Sequence, residues 1–172
     1  MTSSTTRRTF LKSAPVAAAA GLSLSSLAAQ AEAKPAAVPY QLFSAQSLDE
    51  AAKALQASPG NKNLIDASAG LPVAVVMTTE TAKSAKEFEW HEGRDHILLV
   101  IEGSTTYEVG GTPTNGRNTK PGEWLAPASE GATRMTLHKG DMLVIPRNTP
   151  HKRSTESSVT FFLISPMGAM RT

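Results

Sequence analysis

Two of the chain's four histidines lie in one short acidic stretch, EWHEGRDH, at residues 89–96. The chain has no cysteine, so any metal site must be built from imidazole and oxygen donors. His91 and His96 are therefore candidate ligands. Glu89 stands two residues before His91 and is expected on the same face of a strand. The alternative interpretation is a polar turn between two strands, in which the histidines are hydrogen-bonding residues.

The other two histidines also follow apolar, strand-like runs. His151 comes after the strand and turn DMLVIPRNTPH, and His138 ends the run RMTLH. A β-barrel brings the ends of neighbouring strands to one mouth, so imidazoles that are distant in the sequence can converge there. We interpret His138 as structural, because a lone histidine is more often a hydrogen-bonding residue than a ligand.

Short strands separated by turns must position these residues. A helix is predicted at residues 47–57, where Ser47 and Glu50 have capping-box spacing and Pro59 follows. Eight short strands and one helix predict an all-β sandwich or barrel. The predicted strands are residues 63–67, 72–79, 88–91, 96–102, 105–109, 134–138, 141–146 and 159–164.

Residues 111–133 carry three prolines and four glycines and match neither a strand nor a tight turn. This composition predicts a long loop, and a loop of this length in a compact domain is usually functional or mobile. Trp124 is its one large aromatic residue. The loop is either an exposed excursion held in place by Trp124, which we favour slightly, or a flap over a pocket.

Residues 1–33 predict a cleaved export signal. A charged start is followed by an alanine-rich apolar stretch, with small residues before cleavage sites after Ala31 or Ala33. The sequence RRTFLK at residues 7–12 resembles a bacterial twin-arginine signal. The apolar part is too short and too rich in Ala and Ser to span a bilayer, which takes roughly 20 apolar residues. We expect a periplasmic or secreted protein with no stable membrane anchor after cleavage.

Cleavage would leave 139 residues, enough for a single domain. We expect an extended leader at residues 34–46 and one barrel domain at residues 47–172. The signal holds three of the 17 basic and one of the 15 acidic side chains, so the remainder carries 14 of each and is neutral. A neutral domain gives no case for nucleic acid or an anionic membrane as a partner.

Two spacings make the chain resemble the cupins, a family of small double-layered β-barrels. The first cupin motif runs His-x-His, three or four residues, Glu, six residues, Gly. Here EWH is followed after four residues by His96 and after six more by Gly103, while Lys83 stands where that motif has its leading Gly. The resemblance implies a double-stranded β-helix, or jelly-roll barrel, with one short N-terminal helix.

The second cupin motif runs Gly, five residues, Pro-x-Gly, two residues, His, three residues, Asn. Gly140 and the later PRNTPH match it, with Asn148 at the second Gly and Thr155 at the terminal Asn. Together the two motifs span residues 89–155.

In the cupin family, two His, one Glu and a later His bind a divalent metal. Here Glu89 stands at the first His position and His96 at the Glu position, so the donor set keeps three imidazoles and one carboxylate. The resemblance thus implies a divalent-metal site of Glu89, His91, His96 and His151. Loading of the metal before twin-arginine export would favour Mn or Fe, with Zn or Ni as alternatives. The competing interpretation is a cupin that has lost its metal site. Random loss would be expected to remove ligands, whereas here a Glu and a His have exchanged positions and the number of donors is unchanged.

Glu89 is open to two roles, as a metal ligand or as an unligated base beside the metal. The residues between the histidines, Glu92, Arg94 and Asp95, are interpreted as solvent-facing parts of a turn.

The resemblance implies many activities, among them dioxygenases, sugar isomerases, lyases and non-catalytic binders, and a fold does not choose among these. We expect a metal-dependent enzyme of the oxygenase, isomerase or lyase type that acts on a small oxygenated molecule. The alternative is a non-catalytic cupin that binds a small ligand. Cupins commonly pair through strands, so the resemblance also implies a homodimer.

Overall fold

The computed structural model describes residues 40–67 and 71–169. The predicted signal and residues 34–39 of the predicted leader lie outside the described residues. The chain from Leu42 onward clusters as one unit. Its described residues form α1 (Ala45–Ala57), β1 (Gly60–Ile65), β2 (Val73–Ser84), β3 (Phe88–His91), β4 (His96–Val109), β5 (Thr112–Thr114), β6 (Arg117–Lys120), β7 (Glu123–Ala126), β8 (Ala128–Glu130), β9 (Thr133–His138), β10 (Met142–Ile145) and β11 (His151–Pro166).

The helix begins two residues earlier than predicted, at Ala45. Ser44 is the N-cap: its Oγ accepts a hydrogen bond from the Ser47 backbone N–H at 3.1 Å, and the Ser47 hydroxyl donates to the Ser44 carbonyl at 2.9 Å. Ser47 is therefore inside the first turn. The helix packs its buried Ala51 and Ala52 against Met77 of β2.

Strand β11 is the central strand of the larger sheet. It pairs antiparallel with β2 on one side and with β4 on the other, and its first residue, His151, also pairs with Glu89 of β3. Both long ladders shift register between residues 154 and 159, where β11 bulges. The predicted fold class, an all-β jelly-roll barrel with one short helix, is confirmed.

The two predicted strands at residues 96–102 and 105–109 are one strand, β4, which continues through Gly103. Gly103 has φ +77, and a Cβ there would clash with the carbonyl oxygen of Ser158 on β11. Asn148, which stands at a cupin Gly position, has φ +64. Asn tolerates this left-handed region better than most residues, so the substitution keeps the turn before β11.

The prediction of a long loop at residues 111–133 was wrong, since the segment contains β5, β6, β7 and β8. β5 pairs with β8 as a separate two-stranded sheet, and β6 pairs with β7 across the turn at Pro121 and Gly122. β7 then pairs with β3 and so joins the large sheet. The prolines and glycines that suggested a loop lie in short strands and in the turns between them.

The main core lies between β4, β9, β10 and β11. Its buried residues are Leu98, Val100, Tyr107, Leu137, Ile145, Val159 and Phe161. Within the two described ranges, no helix has the length and apolar character needed to cross a membrane.

Candidate metal centre

Three histidines from three strands meet in the described structure. His91 ends β3, His96 begins β4, and His151 begins β11. One ring nitrogen of each lies within 4.8 Å of those of the other two, and the ring centroids are 4.8 to 5.5 Å apart. The residues are buried, with 4%, 7% and 5% exposure respectively. The structure therefore brings together the three predicted imidazole ligands.

Backbone pairing explains this convergence. His151 is in register with Glu89 of β3 and Val109 of β4, so the start of β11 lies between those two strands. The Asn148 N–H donates to the His91 carbonyl at 2.8 Å, which ties the turn before β11 to the end of β3. His96 enters from the other side because the four-residue turn after His91 leads directly into β4.

Glu123 of β7 orients the His91 ring. The two residues are directly opposite in the β3–β7 register, and Oε2 of Glu123 lies 2.7 Å from Nδ1 of His91. The Arg94 guanidinium bonds both Glu123 oxygens. Burial by itself would raise the pKa of Glu123, but the hydrogen bonds from Arg94 and His91 and the charge of Arg94 hold it below its ordinary value. Glu123 is therefore a carboxylate acceptor for the His91 Nδ1–H.

Arg94 also touches the His91 ring, with its Nη2 at 2.9 Å from Nδ1 and 3.4 Å from Nε2. The Nδ1 and Nε2 atoms of the His91 ring point in different directions. An Arg94 N–H aimed at the lone pair of one of them would therefore lie far from the other. The guanidinium therefore packs against the ring. With Nδ1–H donated to Glu123, the lone pair of His91 Nε2 is the one left for a metal ion.

The other two histidines are oriented in the same way. The Thr149 carbonyl lies 3.0 Å from Nδ1 of His151 and can only accept, so Nδ1 carries the proton and Nε2 holds the lone pair. Nδ1 of His96 lies 3.0 Å from the Ser165 hydroxyl, which can accept the same kind of bond. Partners on Nδ1 that leave Nε2 free are the usual support of histidine ligands.

The electrostatic environment keeps all three imidazoles neutral, the form that binds a metal. Burial lowers the pKa of His96 to about 2, and the neighbouring His151 and His91 add to this. Burial also lowers the pKa of His151. For His91, burial and the Arg94 cation lower the pKa against the opposing carboxylates of Glu123 and Glu89.

The three imidazoles can hold a divalent ion. Two nitrogens bound to one ion at about 2.1 Å lie at most about 4.2 Å apart, so small ring rotations would close the set around it. Three nitrogen ligands leave other coordination positions for water or a small molecule.

Glu89, the fourth predicted ligand, lies beside the imidazole cluster. Its Oε1 is 3.7 Å from Nε2 of His151, and its side chain is 54% exposed. This position is compatible with either predicted role, and its role as a ligand stays a prediction. His138 ends β9 on the exposed surface, apart from the cluster.

The interpretation of Glu92, Arg94 and Asp95 as solvent-facing was wrong. All three are partly buried and bonded: Glu92 accepts from Trp124 Nε1 at 2.9 Å, and Asp95 accepts from the backbone and side chain of Arg147. A turn next to a buried site must place its polar groups against partners, because unpaired buried polar groups are costly.

Glu123 is the site residue that sequence reasoning missed. The available signal was the Pro121-Gly122 pair, which is typical of a turn between two strands. If EWLA (residues 123–126) had been predicted as a strand after that turn, Glu123 would have been a candidate to face a residue of a neighbouring strand. Trp124 stacks on Trp90 of β3, with ring centroids 5.6 Å apart, so this tryptophan packs the β6–β7 hairpin against β3.

A cavity of about 160 Å³ adjoins the imidazole cluster at His151. Its lining residues are Glu80, Lys83, Ala85, Glu87, Glu89, Tyr107, His151, Lys152 and Arg153. A small molecule in this cavity would touch residues next to the metal site.

Neither the protein-family models nor the curated proteins include a match to this chain. Solved structures do. A cupin-like protein from Thermotoga maritima is 21% identical, with 63% of this chain and 75% of that chain covered and a TM-score of 0.45. A cupin protein from Bacteroides fragilis is 16% identical, with 78% and 91% covered and a TM-score of 0.48. A protein from Bacillus halodurans is 13% identical, with 80% and 87% covered and a TM-score of 0.51, a likeness that shows the fold alone.

Replacing Glu123 with Gln should weaken metal binding by roughly 10- to 100-fold, because Gln keeps the shape but loses the charge that fixes the His91 tautomer. Isothermal titration of the metal-free protein with Mn²⁺ measures this. Glu102→Gln is the matched control, since Glu102 is paired with Lys139 on the exposed surface. Equal affinities for the Glu123→Gln variant and the unchanged protein would contradict this account of His91.

Proposed function

We propose that the protein is an exported metal-binding cupin, an Mn- or Fe-dependent enzyme that acts on a small oxygenated molecule. The observation that carries the proposal is the convergence of three buried, neutral imidazoles whose Nδ1 atoms are bonded to other groups. In His91 and His151 those groups are acceptors, which leaves Nε2 as the ligand atom. Three unrelated structural histidines would have no reason to share this arrangement.

The proposal includes an open metal site. An ion held by His91, His96 and His151 would act as a Lewis acid toward an oxygen of a bound molecule. The cavity beside His151 gives such a molecule a place to bind. Glu89 lies at the border between the cluster and the cavity, where it could take a proton from the bound molecule.

Export supports the choice of metal within the proposal. The RRTFLK sequence resembles a twin-arginine signal, a route understood to carry folded proteins, so a metal would be loaded in the cytoplasm. Zn and Cu outcompete Mn and Fe at nitrogen and oxygen sites, and loading before export would allow the weaker binders to occupy this one.

A non-catalytic binding protein is the second candidate. The observation in its favour is that charged residues around the cavity are already paired with one another, as in Arg153 with Glu80 and Lys152 with Glu108. In the enzyme candidate, by contrast, catalysis would depend on Glu89 as the base.

Protein purified from the periplasm of its source bacterium should contain about one Mn or Fe per chain by elemental analysis. His96→Gln should lose most of this metal, because one of three ligands is replaced by an amide. His138→Gln, which changes the exposed histidine of β9, should retain it. No stoichiometric metal in the unchanged protein would end the metal proposal, and recovery from the cytoplasm alone would end the export part.

Glu89→Gln separates the two candidate functions. In an enzyme whose base is Glu89, the variant should keep its metal and lose turnover by at least about 100-fold, the usual contribution of a general base. Turnover is measured as the consumption of each compound in a panel of small hydroxy acids, oxo acids and sugars, together with oxygen uptake. Unchanged turnover would remove Glu89 as the base, and binding without turnover in the unchanged protein would establish the non-catalytic candidate.

A further inference from the structure

His151, Lys152 and Arg153 of β11 line the cavity. His151, Arg153 and Thr155 are two residues apart, and alternation directs them to the same face. Tyr107 of β4 is in register with Arg153, so it faces the same interior two positions from the imidazole cluster. The cavity is therefore lined by one member of the imidazole cluster, His151, and by Tyr107 and Arg153.

Arg153 is held by fixed partners. Its Nε and Nη2 donate to the two oxygens of Glu80, each at 2.8 Å. Glu80 is 6% exposed and also accepts from the Thr155 hydroxyl at 2.7 Å. The Arg153 guanidinium packs 4.6 Å from the centroid of the Phe161 ring. Since Glu80 already neutralises this cation, Arg153 is a structural support of the cavity wall and not its anion receptor.

Tyr107 differs from Arg153 because its hydroxyl group still has an O–H that can donate a hydrogen bond. Arg153 Nη1–H donates to the Tyr107 oxygen at 3.0 Å, so this oxygen is an acceptor within the network and its own O–H points elsewhere. Burial raises the pKa of Tyr107 to about 12, so the hydroxyl keeps its proton at neutral pH. A buried hydroxyl that lines a cavity finds its partner in a ligand or in water.

The charges nearby favour an oxyanion. The charged side chains that line the cavity balance, with Glu80, Glu87 and Glu89 against Lys83, Lys152 and Arg153. A divalent ion on the three imidazoles would therefore make the net charge positive. The cavity is also small, since about 160 Å³ is below the range of drug-sized pockets.

We propose that Tyr107 is a ligand-binding residue, whose hydroxyl donates a hydrogen bond to an oxygen of a small carboxylate or enolate that reaches the metal with another oxygen. This inference rests on the proposed metal site. It narrows the substrate class to small oxyanions of a few carbon atoms. Tyr107 then fixes which end of the ligand faces the ion.

Glycolate is a suitable probe, because its carboxylate and hydroxyl can place one oxygen at the metal ion and another at the Tyr107 hydroxyl. Calorimetry on Zn²⁺-loaded protein should show glycolate binding that is weakened roughly 10- to 100-fold by Tyr107→Phe, since a hydrogen bond to a charged group is lost. Zn²⁺ affinity should stay unchanged. Tyr40→Phe is the matched control, since Tyr40 is 74% exposed and is the chain's other tyrosine.

The outcomes separate this inference from the proposed function. If Zn²⁺ binds but Tyr107→Phe takes up glycolate as tightly as the unchanged protein, or the unchanged protein takes up none, the Tyr107 inference is overturned and the metal site stands. If Zn²⁺ does not bind, the proposed function fails, and the Tyr107 inference, which needs the metal, is overturned with it.

A second measurement uses the unchanged chain, in case Tyr107→Phe does not fold. The chain has two tyrosines, so carbon-13 labelling at Cζ gives two resonances. Glycolate should shift the Tyr107 resonance in the Zn²⁺-loaded protein and leave that of Tyr40 in place. Saturating glycolate with no shift at Tyr107 would overturn the inference.

Discussion

Three imidazoles can share one buried site only while they are uncharged, and this constraint governs the structure around His91, His96 and His151. Desolvation lowers the pKa of each, and the pKa of His96 falls to about 2. A neutral imidazole still needs its ring N–H satisfied when it is buried. Acceptors stand at Nδ1 of His91 and His151, which leaves their lone pairs on Nε2, and the Ser165 hydroxyl, which can also accept, stands at Nδ1 of His96.

Strand register supplies these acceptors. β7 pairs with β3 so that Glu123 stands opposite His91, and the Trp90–Trp124 stack one position away holds that pairing. Thr149 lies in the turn that leads into β11, which fixes its carbonyl near His151. The β6–β7 hairpin is therefore part of the site, although it contributes no imidazole.

The sequence predicted the parts of this arrangement that depend on residue type and local spacing. Short apolar runs separated by turn residues predicted the strands, and the resemblance to the cupin motifs predicted that His91, His96 and His151 meet. Glu123 was missed because its role depends on which strand β7 pairs with, a non-local fact. The role of Tyr107 was equally hidden, since one sequence does not show which face of a strand is inward. The helix start was missed by two residues because Ser44 and Ser47 are both good caps.

The central claim is that Nε2 of the three histidines binds one metal ion. A crystal structure of the protein purified with its own metal, with anomalous scattering measured at the Mn and Fe edges, tests it most directly. The account predicts one peak about 2.0–2.2 Å from the three Nε2 atoms, with Glu123 and Thr149 still bonded to Nδ1 of their histidines. No peak among the histidines, or an ion bound through Nδ1, would contradict the account.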